Sequence, residues 1–234
     1  MLTRNPPASP AANPLALLRE HSLVTVVQQE LERRIVGGEI ASGTKLNEVE
    51  VATMLGVSRG PVREAFRALS QAGLVRLEKN RGVFVRQVSL EEANEYYEVR
   101  AALEGLIGRL AARRIGATEV EQLRTVVRRM QQVERSRVAD AYFDLNMEFH
   151  ELMANAARNN ALLANYRGVV NQLDLYRRAT ISRSTDNIPL STLEHEAIVN
   201  AVAARDEATA EQLMTEHVLL SRERLHRALA AHAA

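Results

Sequence analysis

Four side chains in the second half of the sequence carry donor atoms suited to a metal ion: Asn146, His150, His195 and His217. Asn146 and His150 are four apart, so on a helix they share a face. Leu145 and Phe149 flank them, which makes the stretch at least partly buried. His195 and His217 fall on two further helical segments. Neutral imidazoles that converge in a helical core suit Zn²⁺, Ni²⁺ or a similar borderline ion. With one amide or carboxylate oxygen added, such a site is octahedral or open tetrahedral and leaves room for water or ligand. Spacing by itself does not establish convergence, and core packing is the commoner fate of a single buried histidine. The other three of the six histidines, His21, His226 and His232, lie near polar or terminal segments and need no chemical explanation.

A second group of residues has the chemistry of nucleic-acid recognition. Arg59 and Arg63 are four apart at the start of a predicted helix, where backbone N–H groups also suit phosphate. Arginine reads guanine O6 and N7 bidentately in a major groove, or clamps phosphate. Arg67 continues the row by one turn, where it can also pair with Glu64. Asn80, Arg81 and Gly82 form a turn able to enter a minor groove, with Gly82 permitting close approach. The alternative for all three arginines is an exposed, salt-bridged helix face.

Bulk composition conceals this second group. The 234 residues carry 30 Lys+Arg and 29 Asp+Glu, a formal net charge of +1. Residues 1–88, however, hold 12 basic and 8 acidic side chains, and the remainder 18 and 21, so a basic end of +4 joins an acidic body of −3. Zero Cys excludes a disulfide scaffold, thiol catalysis and a thiolate zinc site. At 4% aromatic residues and no Trp, stacking surfaces for sugars or single strands are disfavoured. No apolar run approaches the roughly 18 residues of a membrane span. The Pro/Ala/Asn-rich start does not read as a secretory signal. A cytoplasmic, helical protein is expected.

The elements that must position these residues can be read in order. Residues 1–14 read as a disordered arm. Apolar residues at Leu23, Val26, Val27, Leu31 and Ile35 predict a helix over 22–36, stopped by Gly37-Gly38. A turn follows at Ala41-Ser42-Gly43, then a short helix over 47–55 ended by Gly56. Ser58 is expected to cap a helix running to Gln71, with Pro61 in its first turn. Alternation on both sides of Lys79-Asn80-Arg81-Gly82 predicts a hairpin over 74–86. Helix, tight turn, helix and hairpin is the order of a winged helix-turn-helix. Beyond residue 88 the signals are helical, with helices near 89–115, 118–136, 139–157, 160–182, 191–204 and 206–231. Ser89…Glu92, Thr118…Glu121 and Ser191…Glu194 read as capping boxes and Asp206 as a further cap. Residues 184–189 read as a loop. The fold class is mainly α: a winged helix-turn-helix domain over 15–88 and an all-helical bundle over 89–234.

The run Leu55-Gly56-Val57-Ser58-Arg59-Gly60-Pro61-Val62-Arg63-Glu64-Ala65-Phe66-Arg67-Ala68-Leu69, with Gly73-Leu74-Val75 and Asn80-Arg81-Gly82-Val83-Phe84-Val85, resembles the GntR family of bacterial transcription regulators over residues 22–86. The resemblance implies that Arg59 and Arg63 contact bases or phosphates, that Ser58, Gly60 and Arg67 belong to the same DNA-facing helix, and that the wing tip at Asn80, Arg81 and Gly82 enters the minor groove. Val49 stands where some relatives have a DNA-contacting arginine, so that contact is not carried over. Residues 90–230, with Arg100…Glu104, Asn146-x-x-Phe149-His150, His195 and Asp206…His217, resemble the FCD-type effector domain of the FadR subfamily. That resemblance implies a divalent ion on Asn146, His150, His195 and His217, zinc or nickel being the leading choices. It also implies an effector carboxylate on Arg100, although an Arg100–Glu104 or inter-helix ion pair is the competing use of that arginine. Tyr176, Arg177 and Arg178 are candidates for the pocket wall, or plain surface. Asn146 departs from the commoner Asp. Its neutral oxygen holds a dication less tightly and leaves the site one charge more positive, which favours an anionic ligand. Asp144 faces elsewhere on its helix and is a poor substitute.

The function these features imply is a ligand-responsive regulator, a homodimer on a palindromic double-stranded operator, with a small organic acid bound beside the metal. Repression relieved by ligand is the expected mode, and activation is the variant. A direct metal sensor is the first alternative. A metal-dependent hydrolase is the second, but no HExxH motif is present, Glu148 and Glu194 lack support as general base, and the winged helix would have no use.

Overall fold

The computed structural model of the chain describes residues 22–136, 139–181 and 187–233. Residues 1–14, expected to form an arm, lie outside the described residues. The chain divides into two compact units, the first ending at Arg86 and the second running from Gln87. No helix among the described residues is long and apolar enough to cross a membrane.

The first unit holds α1 (Leu23–Val36), β1 (Lys45–Leu46), α2 (Glu48–Leu55), α3 (Arg59–Gln71), β2 (Val75–Glu78) and β3 (Gly82–Val85). Val27, Leu31 and Ile35 of α1 are buried, as are Val62, Ala65, Phe66 and Leu69 of α3, and these two stripes form the core on which the rest is laid. Gly56 takes a left-handed φ of 66° after α2, so the chain can turn directly into α3. The strands form one antiparallel sheet in the order β1-β3-β2, with Glu78 opposite Gly82 in the hairpin. The hairpin tip places Asn80 at φ 63° and Gly82 at φ 114°. The strand β1 is an addition to the sequence reading: Lys45 pairs with Phe84 and Leu46 with Val83. Two residues are too few to show alternation.

The second unit holds α4 (Leu90–Arg114), α5 (Ala117–Ser136), α6 (Ala139–Ala156), α7 (Asn160–Ile181), α8 (Ile188–Ala203) and α9 (Glu207–Ala233). Ser89 closes a full capping box with Glu92 at the start of α4. Asp206 accepts from the Thr209 backbone N–H at 3.1 Å and so caps α9. Two expected capping boxes are displaced. Before α5 the reach-back comes from Glu119 to the N–H of Gly116, at 2.7 Å, and Thr118 lies inside the helix. α8 begins at Ile188 with Pro189 in its first turn, where the absent N–H has no helical partner to lose, so Ser191 is already helical and donates its N–H to Asn187. Residues 188 and 189 therefore belong to a helix, and the rest of the expected loop lies largely outside the described residues.

α4 and α9 pack along their lengths, and two glycines set their distance. A Cβ on Gly108 would stand 2.5 Å from the Ala210 carbonyl oxygen, and one on Gly105 would collide with the Thr215 hydroxyl. Arg205, at φ 59°, ties the end of α4 to the start of α9: its guanidinium donates to the carbonyls of Ala112, Arg113 and Ile115, the last at 2.7 Å. Because backbone is what a Cβ would meet at Gly108, Gly108→Ala is expected to cost about 1–3 kcal/mol, read as a fall in Tm of several degrees. Gly168 on α7 has nothing within 4 Å of its Cβ position, so Gly168→Ala is expected to raise stability by up to about 1 kcal/mol in the same melts.

Candidate DNA interface and metal centre

The helix α3 presents Arg59, Gly60, Arg63 and Arg67 on its exposed side, away from the buried row Val62, Ala65, Phe66 and Leu69. Ser58 occupies the N-cap with extended backbone but makes no side-chain capping bond. The expected N-cap position holds and only its side-chain bond is lacking, which Pro61 explains. Pro61 is the third helical residue and has no N–H, which removes one of the two donors an N-cap hydroxyl can accept from. Arg67 pairs with Glu64 at 2.7 Å, one turn away. Arg63 is held differently: its Nε and Nη2 donate to the two carboxylate oxygens of Glu48 on α2, at 2.9 and 2.8 Å. Hydrogen bonding to Arg63 holds the Glu48 carboxyl below the usual carboxylate range. Exposed pairs of this kind are weak and exchange for better partners. At the wing, Arg81 Nη1 lies 2.8 Å from Glu78, and Arg76, Arg81 and Lys45 all approach the face of Phe84. The tip is basic but partly neutralised by its own strand.

In the second unit the three histidines meet. His150 on α6, His195 on α8 and His217 on α9 are all buried, and their ligand atoms lie within 4.8 Å of one another. Phe149 walls one side, its ring edge-on to both His150 and His195. Asn146, 4% exposed, is one turn before His150 on the same helix, and its Nδ2 has no hydrogen-bond partner.

Two carboxylates orient the rings. Glu104 on α4 lies between Arg100 Nε, at 2.6 Å, and His150 Nδ1, at 2.8 Å. Glu194 on α8 accepts from Arg224 and lies 2.7 Å from His217 Nδ1. With their Nδ1 atoms turned to carboxylates, His150 and His217 face each other through Nε2, 3.2 Å apart. If both Nδ1 atoms carry the proton, two lone pairs confront each other across that gap, and a cation between them relieves the conflict. Ligand nitrogens about 2.0–2.1 Å from a tetrahedral or octahedral ion stand roughly 3.0–3.4 Å apart. The observed spacing falls inside that interval. His195 is fully buried, and among the described residues neither ring nitrogen has a hydrogen-bond partner, so a ring lone pair is open to an ion. Burial, reinforced by the neighbouring imidazoles, drives His195 and His217 well below the ordinary imidazole range, so both rings are neutral donors. The residues present fit a divalent ion.

Arg100 has no solvent exposure, and only its Nε is bound, to Glu104. Among the described residues its Nη1 and Nη2 have no acceptor. Burial pushes the Glu104 carboxyl up, but Arg100 and then His150 outweigh it and hold it well below the carboxylate range. Tyr176, Arg177 and Arg178 fall near the end of α7, where side chains lie outside the described residues.

Sequence reasoning missed Glu194 and Arg224. Glu194 read as a helix cap and as an unsupported base, whereas it links Arg224 to His217. The available signal was that Arg224 follows His217 by seven residues, two turns along one helix face. Glu194→Ala would leave Arg224, 8% exposed, without its carboxylate. It is expected to cost about 1–3 kcal/mol in denaturant melts. Arg129→Ala, which removes an exposed pair with Glu148, is expected to cost less than about 1 kcal/mol.

Comparison with known proteins agrees with this geometry. Residues 23–85 match the family described as bacterial regulatory proteins, gntR family, and residues 95–220 match the FCD domain. The chain is 31% identical over 203 residues to the "Probable D-xylose utilization operon transcriptional repressor" of Paenarthrobacter nicotinovorans, covering 86% of this chain and 88% of that one. It is 30% identical to the HTH-type transcriptional repressor RspR of Escherichia coli K12, covering 80% and 82% of the two chains. Among solved structures, E. coli McbR/YncC superposes with a TM-score of 0.79 at 17% identity, covering 88% of this chain and 98% of that one, a likeness of fold.

Proposed function

The chain belongs to the GntR family of bacterial regulatory proteins and carries an FCD domain, and from that premise we propose that it is a repressor whose hold on operator DNA is released by a small carboxylate. It is a transcription regulator and not an enzyme, as its relatives are. The hydrolase alternative therefore falls away.

In this reading residues 15–88 bind DNA and residues 89–234 bind effector and form a homodimer on a palindromic operator. Arg59 and Arg63 reach base edges or phosphates. Arg67 and the free Ser58 hydroxyl add backbone contacts, and the tip at Asn80 to Gly82 enters the minor groove. Asn146, His150, His195 and His217 hold a divalent ion, zinc or nickel. A bound ion supplies Lewis acidity and an open coordination position for a carboxylate oxygen. Glu104 and Glu194 keep Nε2 of His150 and His217 aimed inward. The observation that carries the effector assignment is Arg100: a guanidinium with no exposure and two donor nitrogens lacking acceptors. A carboxylate matches such a fork bidentately. Its differential affinity for the DNA-bound and DNA-free states is what shifts the equilibrium.

The test uses a duplex selected from random sequence by the wild-type protein, followed by fluorescence anisotropy. Arg63→Ala is expected to weaken binding about ten- to a hundredfold, while Arg100→Lys, which keeps a positive charge beside Glu104 but loses the guanidinium fork, binds DNA as wild type and releases it poorly when a panel of small carboxylates and zinc is added. Carboxylate-induced release undiminished in Arg100→Lys would remove the effector role. Release by zinc alone would favour the metal-sensor reading.

A further inference from the structure

We propose that the ion and its anionic ligand bind this chain cooperatively, each weakly without the other, and that the ligand is a dicarboxylate. The proposal rests on the metal-and-carboxylate reading above and concerns what this particular donor set demands.

The first ground is charge. Histidines ligate a metal as neutral rings. Asn146 offers an oxygen that is also neutral. The two carboxylates in contact with the histidines are each matched by a guanidinium, Glu104 by Arg100 and Glu194 by Arg224. A dication placed among His150, His195 and His217, at 1%, 0% and 3% exposure, therefore brings two charges that the residues around it do not offset. Burying unmatched charge is strongly unfavourable. The ion on its own is held against that penalty.

The second ground is hydrogen bonding. Arg100 Nη1, Arg100 Nη2 and Asn146 Nδ2 are buried donors without acceptors among the described residues. Arg100 is joined to His150 through the single carboxylate of Glu104, and Asn146 is one turn from His150, so all three donors belong to the histidine neighbourhood. They call for negative oxygens on the ligand. One carboxylate answers the Arg100 fork and a second offsets the ion. A dianion cancels the two charges of the ion, and a monoanion leaves one unmatched. By linkage, whatever the anion adds to the hold on the ion, the ion adds to the hold on the anion.

The experiment is a zinc competition titration of the full chain against a chromophoric chelator, at constant ionic strength, in chloride, acetate, succinate or malate. Protein-free blanks remove the zinc taken by each anion. Succinate or malate is expected to tighten zinc binding by about tenfold or more, the scale of ligand-shell effects on metal affinity, and acetate by clearly less. Asn146→Asp, which supplies one of the two missing charges, is expected to tighten anion-free zinc binding by a similar factor of roughly ten and to reduce the dicarboxylate increment. Zinc affinity in wild type that is the same in all four buffers, or an undiminished increment in Asn146→Asp, overturns the coupling while the three-histidine site stands. An equal increment from acetate overturns the dianion. Zinc that binds in no buffer overturns both this inference and the reading beneath it. Melting curves check the fold of Asn146→Asp, and if it is unfolded the four wild-type titrations decide alone.

Discussion

A guanidinium and a carboxylate without solvent exposure, Arg100 and Glu104, are stable together and costly apart. They sit four residues apart on α4, inside the stripe of Ala93, Tyr97, Ala101, Ile107 and Ala111 that faces the core. An apolar pair would pack there at lower cost. What the charged pair adds is direction. Glu104 spends one oxygen on Arg100 and the other on His150, so the imidazole is fixed by a residue that cannot itself turn. The same construction recurs with Arg224, Glu194 and His217. Each chain of three begins at a guanidinium and ends at a ring whose remaining nitrogen points into the histidine centre.

The packing around these chains is correspondingly close. Gly105 lies one residue after Glu104 and Gly108 one turn further, and their missing side chains let α9 run against α4 at the level of the site. His217 and Arg224 come from that helix, so the distance between α4 and α9 fixes the distance between the two charged chains. Phe149 fills the space beside His150 and His195. His195 has no carboxylate of its own, and its orientation comes from ring packing alone. The centre thus has two rings set by carboxylate contacts and one set by shape.

Much of this architecture was readable from residue order. Helical periodicity with caps at Ser89 and Asp206 placed α4 and α9, and Gly56 and Gly82 marked backbone that only glycine adopts easily. Where reading failed, a competing local signal was present. Ser191…Glu194 has the pattern of a capping box, but Pro189 starts the helix earlier. Ser58 has the residue type of a cap, but Pro61 removes a donor it would need. At the site, the three histidines and Arg100 were identified through resemblance to a known domain, while the partners that orient two of the rings were not. Glu104 and His150 are 46 residues apart, and Glu194 and Arg224 are 30. Contacts of that separation are created by helix packing, and a helical period carries no record of them.

The pairing of Arg63 with Glu48 has a bearing on ionic strength. A protein that meets DNA with bare arginines displaces one condensed cation for each phosphate it neutralises, and its affinity falls steeply with salt. Here the arginine arrives already neutralised by its own neighbour on α2. In the proposed reading, Arg63 must leave Glu48 to reach DNA, so the contact is gained at the cost of an internal ion pair. Screening weakens the internal pair as well as the contact that replaces it. On that reading α3 exchanges one ion pair for another, and its hold on DNA is less sensitive to salt than a count of its arginines implies.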